Sequence, residues 1–293
     1  MHTKEDKLKA FSRLLDIQER LRKECPWDSK QTNESLRPNT IEETFELADA
    51  LLKNDSKNIC KELGDVMEHV IFYSMLGEEK GDFDVADVCK AQSDKLMFRH
   101  DFIDWTGWSV TRSDMVVNAA GQVVYKDEEE QVAKNAQSTT PNTASQVEST
   151  WEQRKQRERD GNTSVLSGVP NSLPSLIKAY RIQDKARNVG FDWEEKEQVW
   201  DKVYEELEEL KNELMKEDKQ RSTEELGDFL FSLINAARLY HLNPDNALEH
   251  TNQKFIKRFN YIEEAAKAKG VTIKDLTLAE MDELWNQAKA ANN

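Results

Sequence analysis

The same four carboxylates occur twice in this chain, in the same order and at the same spacing. Glu43, Glu46, Glu62 and Asp65 recur as Glu206, Glu209, Glu225 and Asp228, all at one constant offset. A glycine stands before each aspartate, at Gly64 and Gly227, and a further glutamate before each set, at Glu42 and Glu205. A pattern that recurs over so long an interval marks a duplicated structural unit. The fold must therefore be one that can be built twice and gathers acids each time.

Helical geometry does this. At about 100° per residue, Val203, Leu207, Leu210 and Leu214 fall within roughly a 60° stripe, expected to be buried, with Glu206 and Glu209 along one side of it. On the next helix Leu226, Leu230, Leu233 and Ala237 form an equivalent stripe, flanked by Glu225 and Asp228. Antiparallel packing across a short turn then lets the acid pairs face each other. Like charges held together raise the free energy unless a cation lies between them. Carboxylates without His or Cys select a hard ion, and Mg²⁺ fits best because it prefers oxygen and bridges to phosphates. A glycine inside a helix costs ~1 kcal/mol relative to alanine, so something is expected to approach the backbone closely at Gly64 and Gly227.

Taken in order, the periodicity predicts helices over about 8–24, 40–53, 57–80 and 84–100. Thr40 reads as the N-cap of the second, with Glu43 its capping-box partner, a structural use that competes with metal binding. Residues 101–150 are the least helical part. Val116-Val117 and Val123–Tyr125 flank Asn118–Gln122 as a small hairpin, and 138–145 reads as a linker. Helical pattern resumes at Trp151. The second half retraces the first: Ile182-Gln183 echoes Ile17-Gln18, and Phe191-Asp192-Trp193 echoes Pro26-Trp27-Asp28. Trp27, Phe191 and Trp193 are expected in the core or in a lid. Further helices are expected at about 195–217, 222–241 and 244–268. The fold class is all-α, with tandem helical-bundle domains: 1–105, an insertion at 106–150, a closing helix and connection at 151–175, and 176–293.

Two basic pairs accompany the acids. Lys95/Arg99 and Lys254/Arg258 share a spacing of one helical turn, and Trp151/Lys155 matches Trp285/Lys289. Lys254, Arg258 and Lys289 suit phosphate oxygens, arginine by its fork and lysine as a point charge. Trp285 is able to stack on a base or pack in a core.

Composition excludes several classes. A formal charge of −15 disfavours nucleic acid as a partner. No apolar run approaches the roughly 20 residues that cross a bilayer, and the first residues lack the apolar core of a secretory signal. Cys25, Cys60 and Cys89 have no metal-type spacing, which suits reduced thiols and a cytoplasmic location.

Cys25–Asp28 with Gln31-Thr32, Ile41–Glu46, Glu62–Asp65, Val189–Trp193, Lys202–Glu206, Glu225–Phe231, Asn252–Phe255 with Arg258, and Met281 with Trp285 and Lys289 together resemble the MazG family of nucleoside triphosphate pyrophosphohydrolases, in its tandem two-domain form. The resemblance implies an all-α fold, Mg²⁺ dependence and cleavage of a nucleoside triphosphate to monophosphate and diphosphate. It implies metal ligands at Glu206, Glu209, Glu225 and Asp228 and, in the first half, at Glu43, Glu46, Glu62 and Asp65. Nucleotide contacts fall on Lys202, Lys254, Arg258, Trp285 and Lys289, with Lys95 and Arg99 as first-half counterparts, and the assembly implied is a homodimer. Glu205, beside the ligands without being one, is the candidate general base. Two departures separate the halves. Phe98–Ile103 replaces the family's Arg-Arg-His-Pro-His-Val-Phe, and extra chain lies between Arg99 and Trp151, where a first nucleotide site would close. The second half is therefore the expected active one. Alternatives are a catalytically weak nucleotide-binding or regulatory assembly module, and a narrower dUTP- or dCTP-type house-cleaning pyrophosphatase.

Overall fold

The computed structural model describes residues 1–128, 143, 147, 151, 154–155, 157–159 and 164–291. The chain divides into two compact units, Met1–Arg154 and Lys155–Asn293. Both are helical.

In the first unit α1 (Lys4–Glu24) begins at a Thr3–Asp6 capping box and stops before Pro26. α2 (Asn33–Leu52) and α3 (Ser56–Lys80) form an antiparallel hairpin, and α4 (Val85–Arg99) follows a left-handed Gly81. In the second unit α5 (Ser175–Arg187) precedes the equivalent hairpin, α6 (Val199–Met215) and α7 (Lys219–Leu239). α8 (Pro244–Ala268) and α9 (Leu278–Ala291) pack on each other around Ile262, Ala266, Leu276 and Leu284.

The two hairpins turn by the same device. Asp55 and Asp218 cap α3 and α7, each accepting two backbone N–H groups through one carboxylate oxygen. The residue before each cap, Asn54 or Glu217, takes a left-handed conformation (φ 52° and 60°). These turns stand at matching positions of the repeat, so the duplication extends to backbone geometry.

α2 starts seven residues earlier than the sequence suggested. Thr32, not Thr40, is the N-cap, boxed with Ser35, and Pro38 lies inside the helix. Proline removes only the bond to Glu34, whose carbonyl lies in the first turn where solvent can serve it. Thr40 is thereby released from capping. Its hydroxyl donates to Leu36 O (3.1 Å) or pairs with His69 Nδ1 (2.8 Å) and Tyr73 OH (2.7 Å).

The expected hairpin is present as β1 (Met115–Val117) and β2 (Val123–Tyr125), antiparallel with Met115 opposite Tyr125. It packs Met115, Val123 and Tyr125 on Met97 and Phe98 of α4, with Trp105, Val110 and Val117 around them. Asp94 of α4, 1% exposed, accepts from Thr111 N, Thr111 Oγ1 and Arg112 N, which ties the incoming strand to the helix. A Cβ at Gly121 would meet Asp104 Oδ1 at 2.0 Å, so only glycine fits there. The linker expected at 138–145 lies outside the described residues except for Thr143.

Three burial expectations fail. Leu226, Leu230 and Leu233 are 45%, 45% and 40% exposed, as are their first-copy matches Leu63, Met67 and Val70 at 49%, 43% and 45%, and Leu214 is also exposed. The buried residues of α7 instead flank that stripe, Ser232 and Ala236 on one side of it and Ile234 and Arg238 on the other. Its most continuous apolar stripe is thus the part left exposed between those flanks. Trp27, Phe191 and Trp193, expected in the core or in a lid, are exposed, which overturns only the core half of that expectation. Among the described residues, nothing beyond the neighbouring helix backbone lies within 4 Å of a Cβ built on Gly64 or Gly227, so the close approach inferred from their helix cost is not made there.

Candidate active site

The short turns bring the acids of each hairpin together. Glu206 on α6 and Glu225 and Asp228 on α7 each offer an oxygen within 4.8 Å of the others, and Glu43, Glu46 and Glu62 do the same in the first copy. Glu209 and Asp65 are not members of these close sets. They still act on them electrostatically. Burial first, then Glu209, Asp228, Glu206 and Glu213, push the Glu225 carboxyl above its ordinary value. Burial, then Asp65, Glu46 and Glu62, push Glu43 up, with His69 opposing. Crowded carboxylates that resist ionising are what a cation would relieve.

Each cluster already has one lysine. Lys202 Nζ lies 2.7 Å from Glu206 Oε1 and 3.1 Å from Glu205 Oε1, and these bonds raise its pKa. In the first copy the lysine comes from the other helix: Lys61 Nζ donates to Glu62 Oε1 (3.0 Å) and lies 3.6 Å from Asp65 Oδ2. Glu205 is exposed and held by Lys202, outside the close carboxylate set. Glu206, 6% exposed, is the buried member of its cluster, as Glu62, at 2%, is of the first.

A cavity of about 680 Å³ adjoins the second cluster, with Lys202, Glu206 and Asp228 in its wall. Leu166, Ile182, Ala186, Val199 and Phe231 make the apolar part, and Phe191 and Trp193 line it as well. The exposed aromatic residues thus belong to a pocket, not a core. Arg238, 5% exposed, anchors their loop. It donates to both Asp192 carboxylate oxygens and, through Nε and Nη2, to Asn235 Oδ1 at 3.1 and 2.9 Å. In the first copy Arg22 holds the matching loop, donating to Asp28 O and Gln31 O and to Glu79 at 2.6 and 2.8 Å. Sequence reasoning singled out neither Arg238 nor Asn235. The Phe191-Asp192-Trp193 motif was a signal for their partner only.

The copies differ where this cavity forms. Val203, Ser232 and Ala236 of the second copy correspond to Thr40, His69 and Tyr73 of the first. Ser232 lines the cavity while Val203 and Ala236 pack with Val199, whereas the first copy carries a hydrogen-bonded Thr40–His69–Tyr73 trio at these positions.

The basic residues are only partly gathered. Arg258 lies over the Trp285 ring at 5.4 Å, and Phe255 meets the same ring at 5.1 Å. Lys254 and Lys289 are exposed, and none of Lys254, Arg258, Trp285 and Lys289 lines the cavity. In the first unit Arg99 lies over Trp151 at 5.1 Å. The arginine–tryptophan pair is thus present despite the insertion, whose described part up to residue 128 packs as a small core on α4. Lys95 is exposed.

Paired helical hairpins carrying duplicated carboxylate clusters define the class, and the chain belongs to the MazG family: the model of the MazG nucleotide pyrophosphohydrolase domain matches residues 31–103 and again 194–262. The β-hairpin lies outside both matches. The chain is 36% identical to the nucleoside triphosphate pyrophosphohydrolase of Escherichia coli K12 over 96% of its own length and 98% of that protein's. It is 34% identical to the nucleoside triphosphate pyrophosphohydrolase/pyrophosphatase MazG of Thermotoga maritima, over 96% of each. A Bacillus subtilis protein is 38% identical over 90% of this chain but 48% of its own. Among the described residues no helix is long and apolar enough to cross a membrane.

Proposed function

We propose that this chain is a Mg²⁺-dependent nucleoside triphosphate pyrophosphohydrolase that works through its second acid cluster. The observation that carries this reading is the convergence of Glu206, Glu225 and Asp228 within 4.8 Å at the wall of a cavity with an apolar end. Such a site suits a ligand with charged oxygens at one end and a flat apolar group at the other. The relatives named for this activity, matched over nearly their whole length, support it.

The donor set fits Mg²⁺, being all carboxylate and electrostatically strained without a cation. Glu206, Glu225 and Asp228 would hold the ion, with Glu209 close enough to join. Bound there, it would supply charge neutralisation for the phosphates and lower the pKa of a water. Within the chain, Lys202 orients Glu206 and Glu205 through its ammonium group. Water oxygen attacks the α-phosphorus, the bond to the bridging oxygen of the β-phosphate breaks, and Glu205 takes the water's proton. Lys254, Arg258 and Lys289 stabilise the departing diphosphate, and Trp285 contributes a flat contact to the nucleoside. Because these four do not line the cavity of their own chain, the reading includes a homodimer in which the exposed Leu226–Leu230–Leu233 and Leu63–Met67–Val70 stripes are covered by a second copy. The first cluster, with Thr40, His69 and Tyr73 beside it, holds a cation without turning over nucleotide.

The test is product analysis on mixed ribo- and deoxyribonucleoside triphosphates with Mg²⁺. Asp228→Ala should abolish diphosphate release with helix content unchanged, while Asp65→Ala retains most of it. Turnover that survives Asp228→Ala sinks the assignment.

A further inference from the structure

Among the polar groups of the cavity wall, most are committed. Ser232 Oγ donates to Phe229 O at 2.9 Å, and Asn235 Oδ1 and Asp192 both accept from Arg238. Lys202, Glu206 and Asp228 belong to the charged end. Gln183 is different. It is 6% exposed, and its Nε2 donates to Phe231 O at 2.7 Å, joining α5 to α7. That bond fixes which end of the carboxamide is which, because a flipped amide would set two acceptor oxygens 2.7 Å apart. The other end, Oε1, is buried with no partner among the described residues. A buried acceptor left unpaired costs about 1–3 kcal/mol, and a chain does not hold one at a cavity wall without some compensation.

We infer that Gln183 is a specificity-determining residue: its Oε1 accepts a hydrogen bond from an N–H or O–H donor on the nucleoside half of the substrate. This rests on the proposed function of the second cluster, and adds to it what the apolar end of the cavity reads. The terminal amide torsion of glutamine lies in a broad well, so a small rotation presents Oε1 to the cavity while Nε2 keeps Phe231. The selection has a definite sign. With Nε2 committed, the residue offers an acceptor and rewards a donor. A ligand that places a carbonyl or ring nitrogen there brings two acceptors together and is rejected. The donor has two sources, an amino or ring N–H of the base or a hydroxyl of the sugar.

The test crosses protein and ligand. Wild type and Gln183→Met, which keeps the packing volume and has no acceptor of that strength, are each assayed for diphosphate release from four compounds. These are ATP, purine riboside triphosphate (no 6-amino group), 2′-deoxy-ATP and 3′-deoxy-ATP. In wild type, losing the donor that Gln183 reads should lower kcat/KM by about 10-fold, the worth of one net hydrogen bond. In Gln183→Met the same pair should agree within about 2-fold. The compound that loses the discrimination identifies the source: the 6-amino group for a base reader, a hydroxyl for a sugar reader. Gln183→Leu is the second variant should the methionine perturb folding, with helix content as the control. Equal discrimination in wild type and variants, or a uniform loss over all four compounds, overturns the inference while leaving the function intact. No hydrolysis by wild type of these four or of any triphosphate in the mixed panel refutes the proposed function and this inference with it.

Discussion

Arg238 supplies the sharpest stability test of the cavity. The guanidinium side chain is 5% exposed and its only anionic partner among the described residues is Asp192, whose side chain is 21% exposed. Asn235 Oδ1 provides two neutral bonds. Asp192→Ala removes the anion and leaves a buried cation with a single amide oxygen. Breaking one side of a buried pair typically costs about 3–5 kcal/mol. Water reaching the space left by a 21% exposed Asp192, together with the retained Asn235, places the expected loss at the lower end, about 3 kcal/mol. That lowers the local folding constant roughly 100-fold. Because the chain has two units, a single unfolding curve is not two-state. The loss should be read by hydrogen exchange in peptides spanning 188–240 of the intact protein, where α7 amides exchange faster and those of α2 and α3 do not. Asp192→Ala/Arg238→Met should recover most of the loss, since neither charge then remains buried. A cost below about 1 kcal/mol, the value of a surface bridge, or no recovery in the double variant, would refute the reasoning.

Metal binding should release protons in a defined window. Glu225 and Glu43 have folded pKa values raised by burial and by neighbouring carboxylates, so each keeps its proton at pH values where an ordinary glutamate has lost it. Native protein then binds more protons than unfolded protein, and in metal-free protein these groups make stability fall as pH rises through their folded pKa. Mg²⁺ titrated in buffers of different ionisation enthalpy should release protons at mildly acidic pH and none well above it. Glu225→Gln should remove the second cluster's share, and pH-independent release would count against the clusters as cation sites. For assembly, Leu230→Glu puts a charge in the middle of the exposed α7 stripe. Sedimentation should show a homodimer become a monomer of unchanged helix content; an oligomer identical to wild type would discard the stripe as an interface.

The repeat of carboxylates was legible because a duplicated pattern is improbable by composition alone, and it located both acid clusters and the hairpins that carry them. Local rules misled where a second requirement competed. Thr40 read as the cap, yet Thr32 and Ser35 form one upstream and a proline this early costs only one helical bond. The stripe Leu226–Leu230–Leu233 has the period of a buried face, and periodicity cannot say whether the cover comes from the same chain. Ser232 and Ala236 share one flank of that stripe, where small and polar residues give no hydrophobic signal, although both are buried. Gln183 was visible as an echo of Gln18, but both are buried, and nothing in the types of neighbouring residues announces a buried amide. Arg238 lies in an Asn-Ala-Ala-Arg run that reads as an ordinary helix exterior.

The matched turns at Asn54-Asp55 and Glu217-Asp218 bear on how the protein reaches this state. Every acid of a cluster lies within one helical hairpin whose arms are joined by three residues. Contacts between α6 and α7 are therefore short in sequence separation, the kind that close early and at little loop entropy. No carboxylate of either cluster comes from α8 or α9, so closing one hairpin is enough to bring its acids together. A newly made hairpin is thus already an assembled group of acids, and a cation that meets it acts on folding itself, screening repulsion at the moment the two helices first approach.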